Sequence, residues 1–196
     1  MHLSDLWVDL KYVPGAPTSC REFRCCHADD NGEIDFNADS TAGPYGERGC
    51  DLPLSGARSM LTSLKAKVIE RYGEINIVVV TGNVVSAQPG QLNAEDHIET
   101  VKQVYAMIQE VFATSFVFPV IGSYDVYPAT FFPFENRQIS TALWSPTNKK
   151  AQYVDISVEV VTAIIDDWKD KYPFNDEHRQ VYDKGELQFE PVNDIS

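Results

Sequence analysis

Ile75-Asn76-Ile77-Val78-Val79-Val80-Thr81-Gly82-Asn83 is the stretch on which the reading of this chain turns. Its unbroken apolar run, with no polar alternation, predicts a strand buried on both faces, as in a parallel sheet, and Thr81-Gly82 ends it. Upstream, Ser55 reads as the cap of a helix in which Met60, Leu61, Leu64, Val68 and Ile69 recur at helical spacing, and Tyr72-Gly73 terminates it. Downstream, Asn93 caps a second helix reaching Val111-Phe112, with Ile98, Val101, Val104, Tyr105 and Ile108 on one face. A further apolar run, Phe116–Ile121, is closed by Gly122, and the opening Leu3–Leu10 reads as a short strand. Strands alternating with helices predict an α/β fold, a mainly parallel sheet flanked by helices.

Outside these elements the chain is less regular. Lys11–Pro53 is rich in Pro, Gly, Asp and Cys and needs covalent staples to be ordered. Pro128–Glu135 reads as a loop, Val154–Lys171 as an amphipathic helix, and the remainder as a polar tail. The expected organisation is one α/β domain over residues 1–150, carrying the insert 11–53, followed by a helix and tail over 151–196.

Composition excludes several function classes. Sixteen Lys and Arg against 29 Asp and Glu leave a net charge of -13 over 196 residues. Such a chain repels phosphate backbones, so no nucleic-acid partner is expected. No window is apolar for the ~20 residues a membrane span requires, and Met1-His2-Leu3-Ser4-Asp5 shows no basic segment followed by an apolar one, so no signal peptide is visible. Four cysteines, Cys20, Cys25, Cys26 and Cys50, cluster in the first quarter. They read as disulfides of an oxidising compartment, with a zinc site built from the thiols and His27 as the competing arrangement.

In α/β folds ligands bind at the loops that follow the carboxyl ends of strands. Here those loops read Ser4-Asp5-Leu6-Trp7-Val8-Asp9, Thr81-Gly82-Asn83-Val84 and Gly122-Ser123-Tyr124-Asp125. In this order they resemble the D-x-H, G-D and G-N-H-[D/E] blocks of the calcineurin-like metallophosphoesterases. Cys20, Cys25-Cys26, Gly43-Pro44-Tyr45-Gly46 and Cys50-Asp51-Leu52-Pro53-Leu54 narrow the resemblance to the acid sphingomyelinase-like phosphodiesterases. It covers roughly Leu3 to Trp144, the amino-terminal half of that family's fold, and implies a partial metallophosphoesterase-type sandwich.

The resemblance also implies where two zinc ions and a catalytic histidine would belong. Asp5 keeps the first carboxylate. Trp7 stands in place of a histidine ligand, and an indole has no lone pair for a metal. Asn83 stands in place of the bridging carboxylate and lacks the charge that holds two dications about 4 Å apart. Ser123 replaces an amide ligand, and Tyr124 replaces the catalytic histidine. The site is therefore expected to be degenerate at Asp5, Trp7, Asn83, Ser123 and Tyr124, with no catalytic residue, no metal and no cofactor. Histidine ligands expected further along the family's chain find no room before Ser196. The resemblance pairs Cys20 with Cys25 and Cys26 with Cys50, and implies a lysosomal, lumenal or extracellular setting.

Two weaker patterns are set aside. His27–Asp35 has an EF-hand look but lacks the terminal bidentate Glu, Ala38 standing there. Gly82–Gly90 lacks the lysine of a phosphate-binding loop. His97 and His178 read as solvated or capping residues. The favoured expectation is a catalytically inactive structural or protein-binding subunit, joined to other protein chains in a hetero-assembly. The alternative is a metal-dependent phosphodiester hydrolase whose atypical ligands are Asp5, Asp9 and Asp125, and a third is a pocket that binds a headgroup without turnover.

Overall fold

The structure, a computed structural model, describes residues 1–18, 25–28, 40–87, 93–130, 159–168 and 171. Its element order is β1 (His2–Leu3), α1 (Leu54–Tyr72), β2 (Ile77–Val80), α2 (Ala94–Val111) and β3 (Phe116–Pro119). The strands form one parallel sheet in the order β1-β2-β3. In register, Leu3 sits opposite Val80, and Ile77 to Val80 run opposite Phe116 to Pro119. The fold class is the expected one, α/β with a small parallel sheet flanked by helices. Crossovers of one hand put consecutive helices on the same face, and α1 and α2 do pack against each other. Between them and the sheet lies a core that includes Leu3, Val78, Val80 and Val117 from the strands and Leu61, Val101, Val104 and Ile108 from the helices.

The expected first strand is shorter than its apolar pattern. Asp5 and Trp7 adopt positive φ angles of 56° and 47°, which break the extended backbone after Leu3. Val8 then re-enters the ladder, bridging Leu52 on one side and Val85 on the other. The pattern was apolar because Leu6 and Val8 are buried, not because the whole segment is strand.

Helix α1 departs from its expected cap and face. Pro53 occupies the N-cap without a side-chain bond, while Ser55, two residues later and already inside the helix, donates its Oγ to the carbonyl of Pro44 at 3.0 Å. Only Gly56, Ala57 and Leu61 of α1 are buried. Met60, Leu64 and Ile69, expected on the core side, are exposed. Polar contacts to α2 run from Arg58 to Glu110 and from Lys65 to the carbonyl of Val111. Beyond Lys65 no residue of α1 is buried.

Helix α2 starts as expected, with a reciprocal capping box. Asn93 Oδ1 accepts the Asp96 N–H at 2.8 Å and Asp96 Oδ2 accepts the Asn93 N–H at 3.2 Å. The Lys11 ammonium also reaches Asp96 at 2.7 Å. Burial opposes ionisation of Asp96, but Lys11 and the cap N–H outweigh it and hold the carboxyl below its usual range. A carboxylate with a lowered folded-state value contributes stability that is fully present above about pH 4 and is lost as pH falls through that value. Asp96→Ala is expected to cost about 1 kcal/mol at neutral pH, with the loss shrinking in urea titrations below pH 4. A penalty that grew on acidification would contradict this.

His97, expected at the solvent or as a cap, is instead 5% exposed. Its ring packs edge-on against Tyr127, and Nδ1 meets the Asn93 carbonyl at 3.0 Å. The apolar surroundings of α2 won over the residue's polarity. Burial pushes the His97 imidazole below its usual range, the Asn93 carbonyl and Asp96 partly opposing. The contribution of His97 is thus present above about pH 6.5 and lost as pH falls through the folded value. Relative to His97→Gln, the native chain should lose more stability between pH 7.5 and pH 5 in urea titrations; equal losses would contradict the burial argument.

Residues 159–168 are helical and add Val160, Ile164, Ile165 and Trp168 to the same core. Trp168 lies edge-on to Tyr105 of α2 at a centroid distance of 4.7 Å. The rest of the expected helix over Val154–Lys171, apart from Lys171, lies outside the described residues, as does the polar tail with His178. In the insert, Cys26 and Cys50 form a disulfide across 24 residues of sequence, a span whose closure restricts the unfolded chain by roughly 3–4 kcal/mol. Cys26 is buried with Tyr12 and Ala42 in a small second core. Cys25 is also disulfide-bonded, while Cys20 lies outside the described residues.

Candidate functional site

The three strand-end loops converge at one end of the sheet through backbone bonds. Asp5 N–H donates to Gly82 O at 3.1 Å, Trp7 N–H to Asn83 O at 3.2 Å, and Val8 N–H to Val84 O at 2.7 Å. The third loop approaches so closely that a Cβ on Gly82 would lie 2.1 Å from the nitrogen of Gly122. Asp5, Trp7 and Asn83 all take left-handed backbone conformations, with φ of 56°, 47° and 55°. Non-glycine residues rarely adopt these, and such strain gathers where a fold holds side chains for a task.

All five expected positions, Asp5, Trp7, Asn83, Ser123 and Tyr124, meet here. The side chain of Asn83 is the hub. Its Oδ1 accepts the backbone N–H of Tyr124 at 3.1 Å and the hydroxyl of Ser123 at 3.3 Å. Because a backbone N–H can only donate, the carbonyl end of the amide must face Tyr124. The amino end therefore faces Asp5 and donates to Oδ1 at 2.9 Å. Ser4 donates its hydroxyl to Asp5 Oδ2. These two donors, Ser4 foremost, hold the Asp5 carboxyl below its usual range although it is exposed. Trp7 and Tyr124 pack edge to face, their centroids 4.8 Å apart and their planes at 84°.

Under this network Asp125 acts as a brace. It is 1% exposed, and its two oxygens accept four backbone N–H groups: Gly122 at 2.7 Å and Asn83 at 2.9 Å on Oδ2, Val84 at 2.7 Å and Val85 at 3.2 Å on Oδ1. Burial pushes its carboxyl up, against the pull of those four donors. Asp9, also buried, accepts the Lys11 N–H at 2.8 Å and pairs with His27 through its other oxygen. Asp51, beside Cys50, accepts the Ser86 hydroxyl at 2.5 Å and the Ala87 N–H at 2.9 Å. The stapled insert is thus tied to the strand-end loops through Asp9–His27 and Asp51–Ser86.

Two sequence expectations are corrected by this geometry. Asp5, Asp9 and Asp125 do not form a joint ligand set, because Asp9 and Asp125 spend both oxygens on separate partners inside the loops. The zinc arrangement of thiols with His27 also fails, since Cys26 and Cys50 are oxidised to a disulfide and His27 is turned to Asp9. Among the described residues no three His, Cys, Asp or Glu side chains are grouped to hold a metal ion. The donors at the hub do not fit a pair of dications either: an N–H of Asn83 points at the carboxylate that would face the metal, and the indole of Trp7 offers no lone pair. Most of the EF-hand-like segment, residues 29–35 and Ala38, falls outside the described residues. The bracing role of Asp125 was missed; three of its four donors, Asn83, Val84 and Val85, lie in another loop, so no local spacing signals it.

No family model matches the chain. It is 28% identical over 135 residues to sphingomyelin phosphodiesterase B of Dictyostelium discoideum, covering 68% of this chain and 20% of that protein. It is 26% identical over 149 residues to acid sphingomyelinase-like phosphodiesterase 3b of Homo sapiens, covering 74% and 30%. The Mus musculus protein of the same name is 25% identical over 156 residues, covering 78% and 31%. The chain therefore spans less than a third of the length of these curated relatives. In its ordered loop motifs, its parallel α/β sheet and these similarities, the chain resembles the acid sphingomyelinase-like phosphodiesterases over part of their length.

Proposed function

We propose that this chain is a catalytically inactive member of that phosphodiesterase group, serving as a structural or protein-binding subunit in a lumenal or extracellular compartment. The carrying observation is the Asn83 amide, which links Asp5 to Ser123 and Tyr124 by direct hydrogen bonds where a two-metal centre would need outward-facing lone pairs. An active site converted into a closed polar network keeps its scaffold and loses its reaction. The disulfide Cys26–Cys50 supports the oxidising compartment.

The binding role rests on exposed apolar surface. Parallel sheets are normally covered on both faces, yet on the face opposite the helices Ile77 is 49% and Phe116 65% exposed. Met60, Leu64, Ile69 and Tyr72 of α1 are exposed as well. Ile77 and Phe116 are register neighbours, and an exposed apolar patch is an association site or an aggregation hazard.

The purified chain, analysed for zinc and assayed with a chromogenic phosphodiester, should contain no stoichiometric metal and show no turnover. Turnover that a chelator abolishes and Asp5→Ala removes would establish the second reading, a metal-dependent phosphodiesterase, which the names of the relatives favour. For the subunit role, light scattering after size exclusion should show association, and a stable monomer at high concentration would count against it.

A further inference from the structure

Helix α1 has a charge that runs against the rest of the chain. It carries four cations, Arg58, Lys65, Lys67 and Arg71, against the single acid Glu70, in a chain of net charge -13. Two of the four are engaged within the fold: Arg58 pairs with Glu110, and Lys65 donates to the carbonyl of Val111. Lys67 and Arg71 are exposed, and neither forms an ion pair among the described residues. The Arg71 guanidinium lies instead 5.3 Å from the centroid of the Tyr72 ring.

Beside these two cations the helix surface is apolar. Met60, Leu64, Val68 and Tyr72 follow one another at intervals of four residues, the spacing of a ridge along a helix, which here runs for about 18 Å. Met60, Leu64 and Tyr72 are exposed and Val68 is half-buried. Lys67 and Arg71, three residues on from Leu64 and Val68, border the ridge on one side. On its other side runs the row of Ala57, Leu61 and Lys65, which faces the core and α2. Such a ridge, with cations on one flank and the body of the protein on the other, fits a second helix laid across it whose own flank is acidic. Two copies docking α1 on α1 about a two-fold axis would set each cation row beside its counterpart, and like charges repel. At physiological salt, fields between exposed charges are screened within about 8 Å, so Lys67 and Arg71 decide the contact rather than the net charge of the whole chain.

We propose that the ridge of Met60, Leu64, Val68 and Tyr72 docks an amphipathic helix of another protein chain, its apolar stripe against the ridge and its Asp or Glu residues beside Lys67 and Arg71. This rests on the reading of the chain as a protein-binding subunit and gives its partner a chemistry.

Fluorescence anisotropy at physiological salt tests it. The full chain is titrated into two labelled synthetic helices of about 18 residues that share one Leu stripe, bordered by Glu in the first and by Lys in the second. The Glu peptide is expected to bind with Kd of about 10–100 μM, and the Lys peptide at least about tenfold more weakly. Leu64→Gln should weaken binding of the Glu peptide about tenfold. Lys67→Glu combined with Arg71→Glu should invert the preference between the peptides, a result that unfolding would not produce; circular dichroism verifies the helix content of each variant. Equal or tighter binding of the Lys peptide, binding of neither, or a preference untouched by the charge reversal would overturn the proposal. So would self-association that Leu64→Gln abolishes, because a second copy then occupies the ridge. The same samples are assayed with a chromogenic phosphodiester and by light scattering. Turnover overturns the reading of an inactive subunit whatever the peptides do, whereas an inactive chain that associates through another surface and binds neither peptide overturns the inference alone.

Discussion

Asp125→Ala is expected to destabilise the chain by about 3–5 kcal/mol and to disorder the second and third strand-end loops together. Four buried N–H groups lose their acceptor at once, and each orphaned donor costs roughly 1–3 kcal/mol when water cannot replace the partner. The full sum overstates the loss, because truncation of the carboxymethyl group leaves room for a water to bridge some of the four. Asp125→Asn should fall between, since one oxygen remains to accept two N–H groups while the new amino group faces the other two. Urea unfolding followed by far-UV circular dichroism measures both. A loss below about 1 kcal/mol in the alanine variant would mean that the carboxylate is not the brace of these loops.

Gly122→Ala is expected to cost about 2–4 kcal/mol by a different mechanism. Gly122 is not among the residues with positive φ, so its backbone would tolerate alanine; the obstacle is the neighbour. An added Cβ would lie 2.2 Å from the nitrogen of Asn83 and 2.5 Å from its Oδ1. Both belong to groups already fixed, the nitrogen by Asp125 and the side chain by Asp5 and Tyr124, so no flexible atom can yield. The third loop must move away, which separates Trp7 from Tyr124 and should diminish the near-UV dichroism of that ring pair. Gly49→Ala is the control. Gly49 has φ of +90° and nothing within 4 Å of an added Cβ, so its cost is conformational alone, about 1–2 kcal/mol. If the two glycine variants lost equal stability with unchanged near-UV spectra, the close approach of the loops would be refuted.

The elements that could be read from the chain were those whose signals are local. Asn93 stands ahead of a stretch with helical apolar spacing, and α2 begins directly after it. Ile77 to Val80 is apolar without polar alternation, and its order among helices entails a parallel sheet; the expected burial on both faces fails at Ile77, which is 49% exposed because the described helices cover only the side of Val78 and Val80. The five loop positions singled out by the family resemblance lie in three loops far apart in the chain, and the structure brings them together. The apolar spacing of α1 misled, because periodicity shows that a helix has an apolar stripe and cannot say how much of it finds a partner. His97 misled for the converse reason: its polarity is a property of the residue, whereas its burial is a property of the surface packed on it.

What the chain determined by itself was therefore the class of fold and the order of its strands and helices, since each follows from residue type and near-neighbour spacing; the replacement of metal-binding groups at Trp7, Asn83, Ser123 and Tyr124 is what the family resemblance implies. Tertiary structure alone decided which way the Asn83 amide points, that Asp125 turns inward to four N–H groups while Asp5 stays outside, and that Asp9 takes His27 as its partner. Apart from Asp125 and Gly122, which share a loop, these are choices among partners 18 to 78 residues apart in the chain, and they are settled only when folding brings the acceptors of one loop within hydrogen-bonding distance of the donors of another.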